Sequence, residues 1–323
     1  MHVLVTGGAG FIGSHLVERL LAEGHTVTVL DDFSGGRPEN LAAVLDHPRL
    51  RLLRGDVTDP HIRSAALDGI DTVFHLAAVV GVPRVLADPL RTLQVNVLGT
   101  ERMLAACAQR GLPICLASSS EVYGKGVRWP AAEDDDLRLG PPTSPRWAYA
   151  VSKLLDEHLA LAWARHGLPV RIVRYFNVYG PRADPAGYGY VIARFLDQAL
   201  RGEPLTVYGD GRQTRSFIYV SDAVEGTLRA GTHPAAVGKI FNIGRAEEIS
   251  IRELAEKVRT ITGRPVPIRF VPLPEAYGPG FEDLPRRVPD VRQARTLLGF
   301  EARVTLEEGL KRTWEWWRAC RRV

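Results

Sequence analysis

A short β-branched run, a glycine cluster and an amphipathic segment follow one another at the start of the chain without a break. His2-Val3-Leu4-Val5-Thr6 reads as a strand buried on both faces. Gly7-Gly8-Ala9-Gly10-Phe11-Ile12-Gly13 reads as a tight turn, and Phe11 to Glu23 as a helix with apolar residues at helical spacing. A strand that runs through glycines straight into a helix leaves few folds open, because a parallel neighbour strand must then lie beyond the helix. The first half keeps this rhythm. Strands are expected at Thr26 to Leu30, Leu50 to Leu53, Thr72 to Leu76, Ile114 to Ala117 and Val170 to Tyr175. Long helices are expected at about Leu93 to Gln109 and Tyr149 to His166. The alternation predicts an α/β fold, a doubly wound parallel sheet with helices on both faces.

Beyond Asn177 the texture changes. Prolines crowd the stretch from Arg264 to Pro289, at 265, 267, 272, 274, 279, 285 and 289, yet apolar and charged residues are interspersed among them. This reads as ordered irregular structure in a smaller α/β lobe. The expected division is residues 1–176 and 177–323, with Lys239-Ile240-Phe241-Asn242-Ile243 as a strand that returns to the large sheet. At 45% hydrophobic and 24% charged residues the chain is not of the disordered class. Its net charge of +4 comes from scattered residues of both signs, so nucleic acid is not an expected partner. Cys107, Cys115 and Cys320 have no metal-ligand spacing, and their odd number suits reduced thiols. No apolar run is long enough for a membrane span, and the first apolar stretch runs into the glycine turn rather than a signal-peptide cleavage site. A soluble, cytoplasmic protein without a bound metal is therefore the expectation.

The glycine turn has a second partner. Asp31 closes the second expected strand, 18 residues after Gly13 (31 − 13). The glycines let the backbone approach a pyrophosphate, the helix N-terminus offers N–H groups to it, and the acid can accept the adenosine ribose hydroxyls. Together these predict a dinucleotide cofactor on a Rossmann-type sheet, held by Gly7, Gly10, Phe11, Ile12, Gly13 and Asp31. A carboxylate repels a 2′-phosphate, which favours NAD over NADP, although Arg37 is close enough to moderate the preference. Asp56-Val57, just after a strand, could cradle the adenine.

Tyr149 and Lys153 are four residues apart, on one face of an expected helix. A free phenol titrates near pH 10, too high for a base at neutral pH, and a neighbouring ammonium favours the phenolate. Tyr149 could then accept an alcohol proton while a hydride leaves the same carbon. Ser118-Ser119-Ser120 follows an expected strand at the carboxyl edge, where ligands bind in this architecture. One of these serines would hydrogen-bond the reacting oxygen. Ser119 is the first choice, and Ser120 stays a candidate.

With these motifs in hand, the chain resembles the extended short-chain dehydrogenase/reductase family that modifies nucleotide sugars. The resemblance covers nearly the whole chain: the glycine loop, His75-Leu76-Ala77-Ala78, Asn96, the serine cluster, Tyr149 and Lys153, Arg174-Tyr175-Phe176-Asn177, and Tyr208-Gly209-Asp210-Gly211. It implies a tightly held NAD that oxidises the sugar at C4, with Leu76, Ala77, Ala78 and Asn96 in the cofactor site beside Tyr149 and Lys153. It also implies a second lobe that grips the nucleoside diphosphate through Asn177 and Arg215, and a homodimer built on the helices near Leu93 to Gln109 and Tyr149 to His166.

The family diverges after the 4-ketone. Glu121 follows the serine cluster, where simple 4-epimerases usually have a small or hydroxyl residue. A carboxylate there resembles members acting at C5 or C6. Pro145-Arg146-Trp147-Ala148-Tyr149 and Tyr277-Gly278-Pro279-Gly280-Phe281-Glu282-Asp283 through Arg287 are similar to UDP-glucuronic acid decarboxylases. Carried over by position, Glu121 and Arg287 match that group's decarboxylation residues, and Arg146 and Tyr277 its pocket residues. Ser119 departs from that group, which has threonine there. UDP-glucuronic acid decarboxylation is the first expectation and UDP-sugar 4-epimerisation the second. A 4,6-dehydratase comes third, since Ser120 stands where many such enzymes have Asp. A non-enzymatic NAD sensor is disfavoured because Tyr149 and Lys153 are both present.

Overall fold

The computed structural model describes residues 1–185, 191–277 and 283–320. Seven parallel strands form its main sheet, in the spatial order Lys239–Ile243, Val170–Tyr175, Ile114–Ser119, Thr72–His75, His2–Thr6, Thr26–Asp31, Leu50–Arg54. The strands are buried because helices cover both faces. Val3, Leu4 and Val5 are fully enclosed, and the helix Phe11–Ala22 buries Leu16, Val17, Leu20 and Leu21. Each such side chain contributes about 2 kcal/mol of apolar burial. The register runs Val3 to Val27 on one side and Val3 to Thr72 on the other. His2–Thr6 is thus where the chain reverses its direction of travel across the sheet, and at such a point a crevice opens beyond the carboxyl ends of the strands.

The glycine turn lies at that crevice, and its glycines are sterically required. Gly7 has φ +69°, and a Cβ on Gly13 would overlap the Gly7 carbonyl oxygen.

Lys239–Ile243 joins the main sheet beside Val170–Tyr175, in register Lys239 to Arg171 through Ile243 to Tyr175. The second half otherwise builds small sheets. Leu205–Tyr208 pairs in parallel with Ile268–Val271, and Thr214–Ser216 lies between Glu248–Ser250 and Arg286–Arg287. The helix Ile251–Thr262 starts on a capping box between Ser250 and Glu253 and ends on left-handed Gly263. The proline-rich stretch contains a strand, the short helix Leu273–Tyr277 and the two-residue strand Arg286–Arg287.

One expected element is built differently. The single helix from Leu93 to Gln109 is two α-helices, Pro89–Leu93 and Gly99–Arg110, joined by the wider π turn Gln94–Leu98. Helical periodicity does not distinguish the two. The turn carries Asn96 inward, where its side chain brackets both backbone groups of Val79. Gly99 sits so close to Val57 that a Cβ would come within 2.9 Å of its side chain.

Candidate active site

A cleft of about 920 Å³ runs along the carboxyl ends of the central strands. At one end lie Gly7, Gly10, Phe11, Ile12 and Gly13, with Asp31, Asp56, Val57, Leu76, Ala77 and Ala78. At the other lie Ser119, Ser120, Glu121, Arg146, Tyr149, Lys153, Asn177 and Arg287. Most of the residues singled out from the sequence therefore share one cavity. Three of the expected residues lie elsewhere. Asn96 does not line the cleft; it is fully buried and holds the cleft-lining Val79 from behind, while donating to Ser152 Oγ at 3.0 Å. Arg215 does not line it either: its guanidinium donates to Asp283 Oδ1 at 2.7 Å and to the Leu284 carbonyl at 2.8 Å. The Tyr277 side chain and the segment 278–282 lie outside the described residues.

The dinucleotide end has the donor set a cofactor of that kind needs. Asp31 accepts from the Ala9 N–H at 2.9 Å and the Phe33 N–H at 2.8 Å, which aims it from the end of its strand. Burial raises its pKa, against the pull of those two N–H groups. A Cβ on Gly36 would come within 2.9 Å of Asp31 Oδ2, so backbone closely flanks this carboxylate. A glycine cradle next to a carboxylate suits an adenosine diphosphate with a free 2′-hydroxyl.

At the other end, the strand Ile114–Ser119 passes directly into a 3₁₀ turn, Ser120–Tyr123, and the Ser119 hydroxyl caps it by accepting from the Glu121 N–H at 3.2 Å. The strand end is braced from behind. Ser118 Oγ donates to Glu157 at 2.5 Å, and Arg174 grips the same carboxylate with two bonds of 2.9 and 2.7 Å. Arg174 was visible in the sequence only as part of a motif; its brace role appears from the fold.

Glu121 points between two guanidiniums. Arg146 donates to its Oε2 at 2.8 Å, and Arg287 donates to its Oε1. Burial would push the Glu121 pKa up; the two guanidiniums more than reverse this and hold it well below the usual carboxylate range. The chain delivers the three groups separately: Arg146 from the 3₁₀ turn Pro145–Trp147, and Arg287 from a strand aligned with Thr214–Arg215. Arg287 is 8% exposed, and its Nε is buried without a hydrogen-bond partner among the described residues.

Tyr149 and Lys153 come from the first turns of the helix Ala148–Arg165 and both line the cleft. Next to them His75 is fully enclosed, with Nδ1 2.7 Å from Thr6 Oγ1 and Nε2 3.3 Å from Thr100 Oγ1. Burial, with the Lys153 charge added, lowers its pKa to about 3, so it is a neutral hydrogen-bonding spacer. Arg182, which no motif marks, also lines the cleft and donates to Glu18 at 2.5 Å.

The sequence profile of the NAD dependent epimerase/dehydratase family matches residues 3–244. The chain is 43% identical over 315 residues to a UDP-N-acetyl-alpha-D-glucosaminuronate decarboxylase of Bacillus cytotoxicus, covering 98% of this chain and 97% of that protein. It is 39% identical to UDP-glucuronic acid decarboxylase 1 of Danio rerio, covering 96% of this chain and 71% of the relative. Among solved structures, MoeE5 in complex with UDP-glucuronic acid and NAD is similar at 38% identity and a TM-score of 0.85, covering 99% of this chain and 100% of that one. A UDP-glucose 4-epimerase of Thermotoga maritima is similar at 34% identity and a TM-score of 0.88, covering 99% of each.

Proposed function

The chain belongs to the NAD dependent epimerase/dehydratase family, and from that premise we propose that it decarboxylates a UDP-linked hexuronic acid after oxidation at C4. The carrying observation is Arg287, a cleft-lining guanidinium ion-paired to the equally cleft-lining Glu121. A cleft-lining guanidinium can hold a sugar carboxylate through charge-assisted hydrogen bonds, which a neutral hydroxymethyl group does not match. The similarity to two decarboxylases of UDP-hexuronic acids supports the same reading.

When bound, NAD supplies the two-electron acceptor at C4. The glycine loop and Asp31 would hold its adenosine diphosphate, with Ala77, Ala78 and Lys153 further along the cleft. Tyr149 accepts the proton of the C4 hydroxyl, and Ser119 or Ser120 hydrogen-bonds the same oxygen. Arg287 holds the C6 carboxylate while Glu121 fixes Arg287. With a ketone at C4 the substrate is a β-keto acid. The C5–C6 bond breaks, carbon dioxide leaves, and the bonding pair passes into an enolate that is then protonated at C5; C4 then takes back the hydride and the proton held by Tyr149, so that the UDP-pentose differs from substrate by carbon dioxide alone. Asn177 lines the cleft with its amide tied to the Ser216 carbonyl at 2.7 Å, and we assign it to the diphosphate end.

Mass analysis of products tests the reading. UDP-glucuronic acid and its 2-acetamido counterpart should each lose 44 mass units (one CO₂). Products of unchanged mass would make the protein a 4-epimerase.

We further place the protein in the cytoplasm as a homodimer. Cys107 and Cys115 are buried free thiols, both pushed up by burial to about 12, as suits a reducing compartment. Leu98, Val151 and Leu155, each 43% exposed, put apolar surface on adjoining helices, as a second copy would require. Light scattering of Leu155→Arg should report monomer where the parent protein reports dimer. None of the helices among the described residues is long and apolar enough to cross a membrane.

A further inference from the structure

The helix that presents Tyr149 and Lys153 carries one more acid on the same side. Asp156 follows Lys153 by three residues, which brings it back to nearly the same face. Its Oδ2 accepts from Lys153 Nζ at 3.2 Å, and the two side chains are 0% and 3% exposed. A buried ion pair is a poor stabiliser, since desolvating both charges offsets their attraction. Placed beside the lysine that activates the base, it has another consequence.

We propose that Asp156 is a positioning residue for the proton-transfer pair: it holds the Lys153 ammonium and competes with the Tyr149 phenolate for its charge, so it sets the pH at which Tyr149 becomes a base. The surroundings contain little else that could do so. On the same helix Glu157 is already held by Arg174 and Ser118. From the helix Gly99–Arg110 the Thr100 hydroxyl approaches Asp156, and from the strand Thr72–His75 the neutral His75 shares that hydroxyl.

Burial pushes Asp156 up to about 6, against the attraction of Lys153. Its charge therefore changes close to neutrality. Above that range Asp156 is an anion and offsets part of the ammonium's pull on the phenol; below it, Lys153 acts on Tyr149 alone. Removing the carboxylate charge should leave the ammonium uncompensated at every pH and make Tyr149 a stronger acid. The inference rests on Tyr149 and Lys153 forming the proton-transfer pair, a step common to oxidation at C4, and not on decarboxylation.

The test is an ultraviolet titration of the Tyr149 phenolate in the NAD-loaded protein. The chain has nine tyrosines, so a Tyr149→Phe reference isolates the signal. Asp156→Asn keeps an acceptor for Lys153 while removing the charge. Its phenolate midpoint should fall by about one pH unit, and the acid limb of kcat/KM should move with it. Asp156→Glu should restore the parental midpoint to within a few tenths of a unit, as a charge effect requires. Asp156→Ser serves as a second neutral variant. A parental midpoint in whichever neutral variant folds, even with a lowered Tm, overturns the proposal and leaves Asp156 a structural ion pair. The phenolate signal needs no sugar, so it is read equally well if UDP-hexuronic acids prove not to be substrates.

Discussion

Two ion-paired corners of one cleft are put together in different ways. At Tyr149 a single lysine is held by a buried aspartate from its own helix, three residues away. At Glu121 one carboxylate meets two guanidiniums, each brought by a different segment, with Arg287 arriving 166 residues later in the chain. The first corner is local, and one helix assembles it. The second needs the turns Ser120–Tyr123 and Pro145–Trp147 and the strand Arg286–Arg287 to meet in the folded chain. On the proposed function, such a chain can keep the C4 oxidation corner intact while the other corner determines what becomes of the ketone.

The sharpest separation of the two corners comes from Tyr149→Phe. It should lower turnover of every UDP-sugar by roughly 1,000-fold while the purified protein still carries its NAD, because proton acceptance is lost and the cofactor end is untouched. Loss of NAD together with activity would show that the two ends are not independent.

Arg287→Ala should act on one corner only. Its kcat/KM for a UDP-hexuronic acid should fall roughly a hundredfold or more, with less than about tenfold change in C4 oxidation of neutral UDP-glucose. Equal losses on both substrates would move Arg287 from the carboxylate to the diphosphate.

Glu121→Gln should next reduce carbon dioxide release by roughly tenfold to a hundredfold and lower stability by about 1–3 kcal/mol, since two buried guanidiniums lose their shared anion. The sign of its pH dependence follows from the depressed pKa. The stabilisation is complete above about pH 5 and shrinks as pH falls below the ordinary glutamate value, so the Tm gap between parent and variant should narrow in acid. A gap that widens in acid contradicts the ion-pair geometry.

The smallest effect belongs to the cofactor end. Asp31→Ser should raise the NADP to NAD affinity ratio by roughly tenfold, measured by fluorescence titration, because the acid that accepts ribose hydroxyls also repels a 2′-phosphate. An unchanged ratio would assign cofactor choice to Arg37, which also lines the cleft.

The same contrast explains what the sequence revealed. The glycine turn, Asp31 and the Tyr149–Lys153 pair are local patterns whose spacing already places them at a strand end or on a helix face. Asp156 was equally local, three residues beyond Lys153, but nothing in the spacing says that the position is buried. Periodicity could not show the π turn at Gln94–Leu98, because it changes the helix width and not the apolar pattern. Resemblance puts Glu121, Arg146 and Arg287 in one pocket but does not show their ion pairing, since no local rule aligns a strand at 286 with one at 214. Arg215 and Asn96 illustrate the converse. The resemblance implies both as ligands, and the fold sets both outside the cleft lining, with Arg215 on the Leu284 carbonyl and Asn96 on Val79.

Carbon-13 NMR of UDP-glucuronic acid labelled at C6, followed with the NAD-loaded protein, tests the central claim most directly. The account predicts that the label leaves the sugar and appears as bicarbonate while the UDP-pentose product is unlabelled. A label that stays on the sugar, in a new C4 epimer, would contradict it.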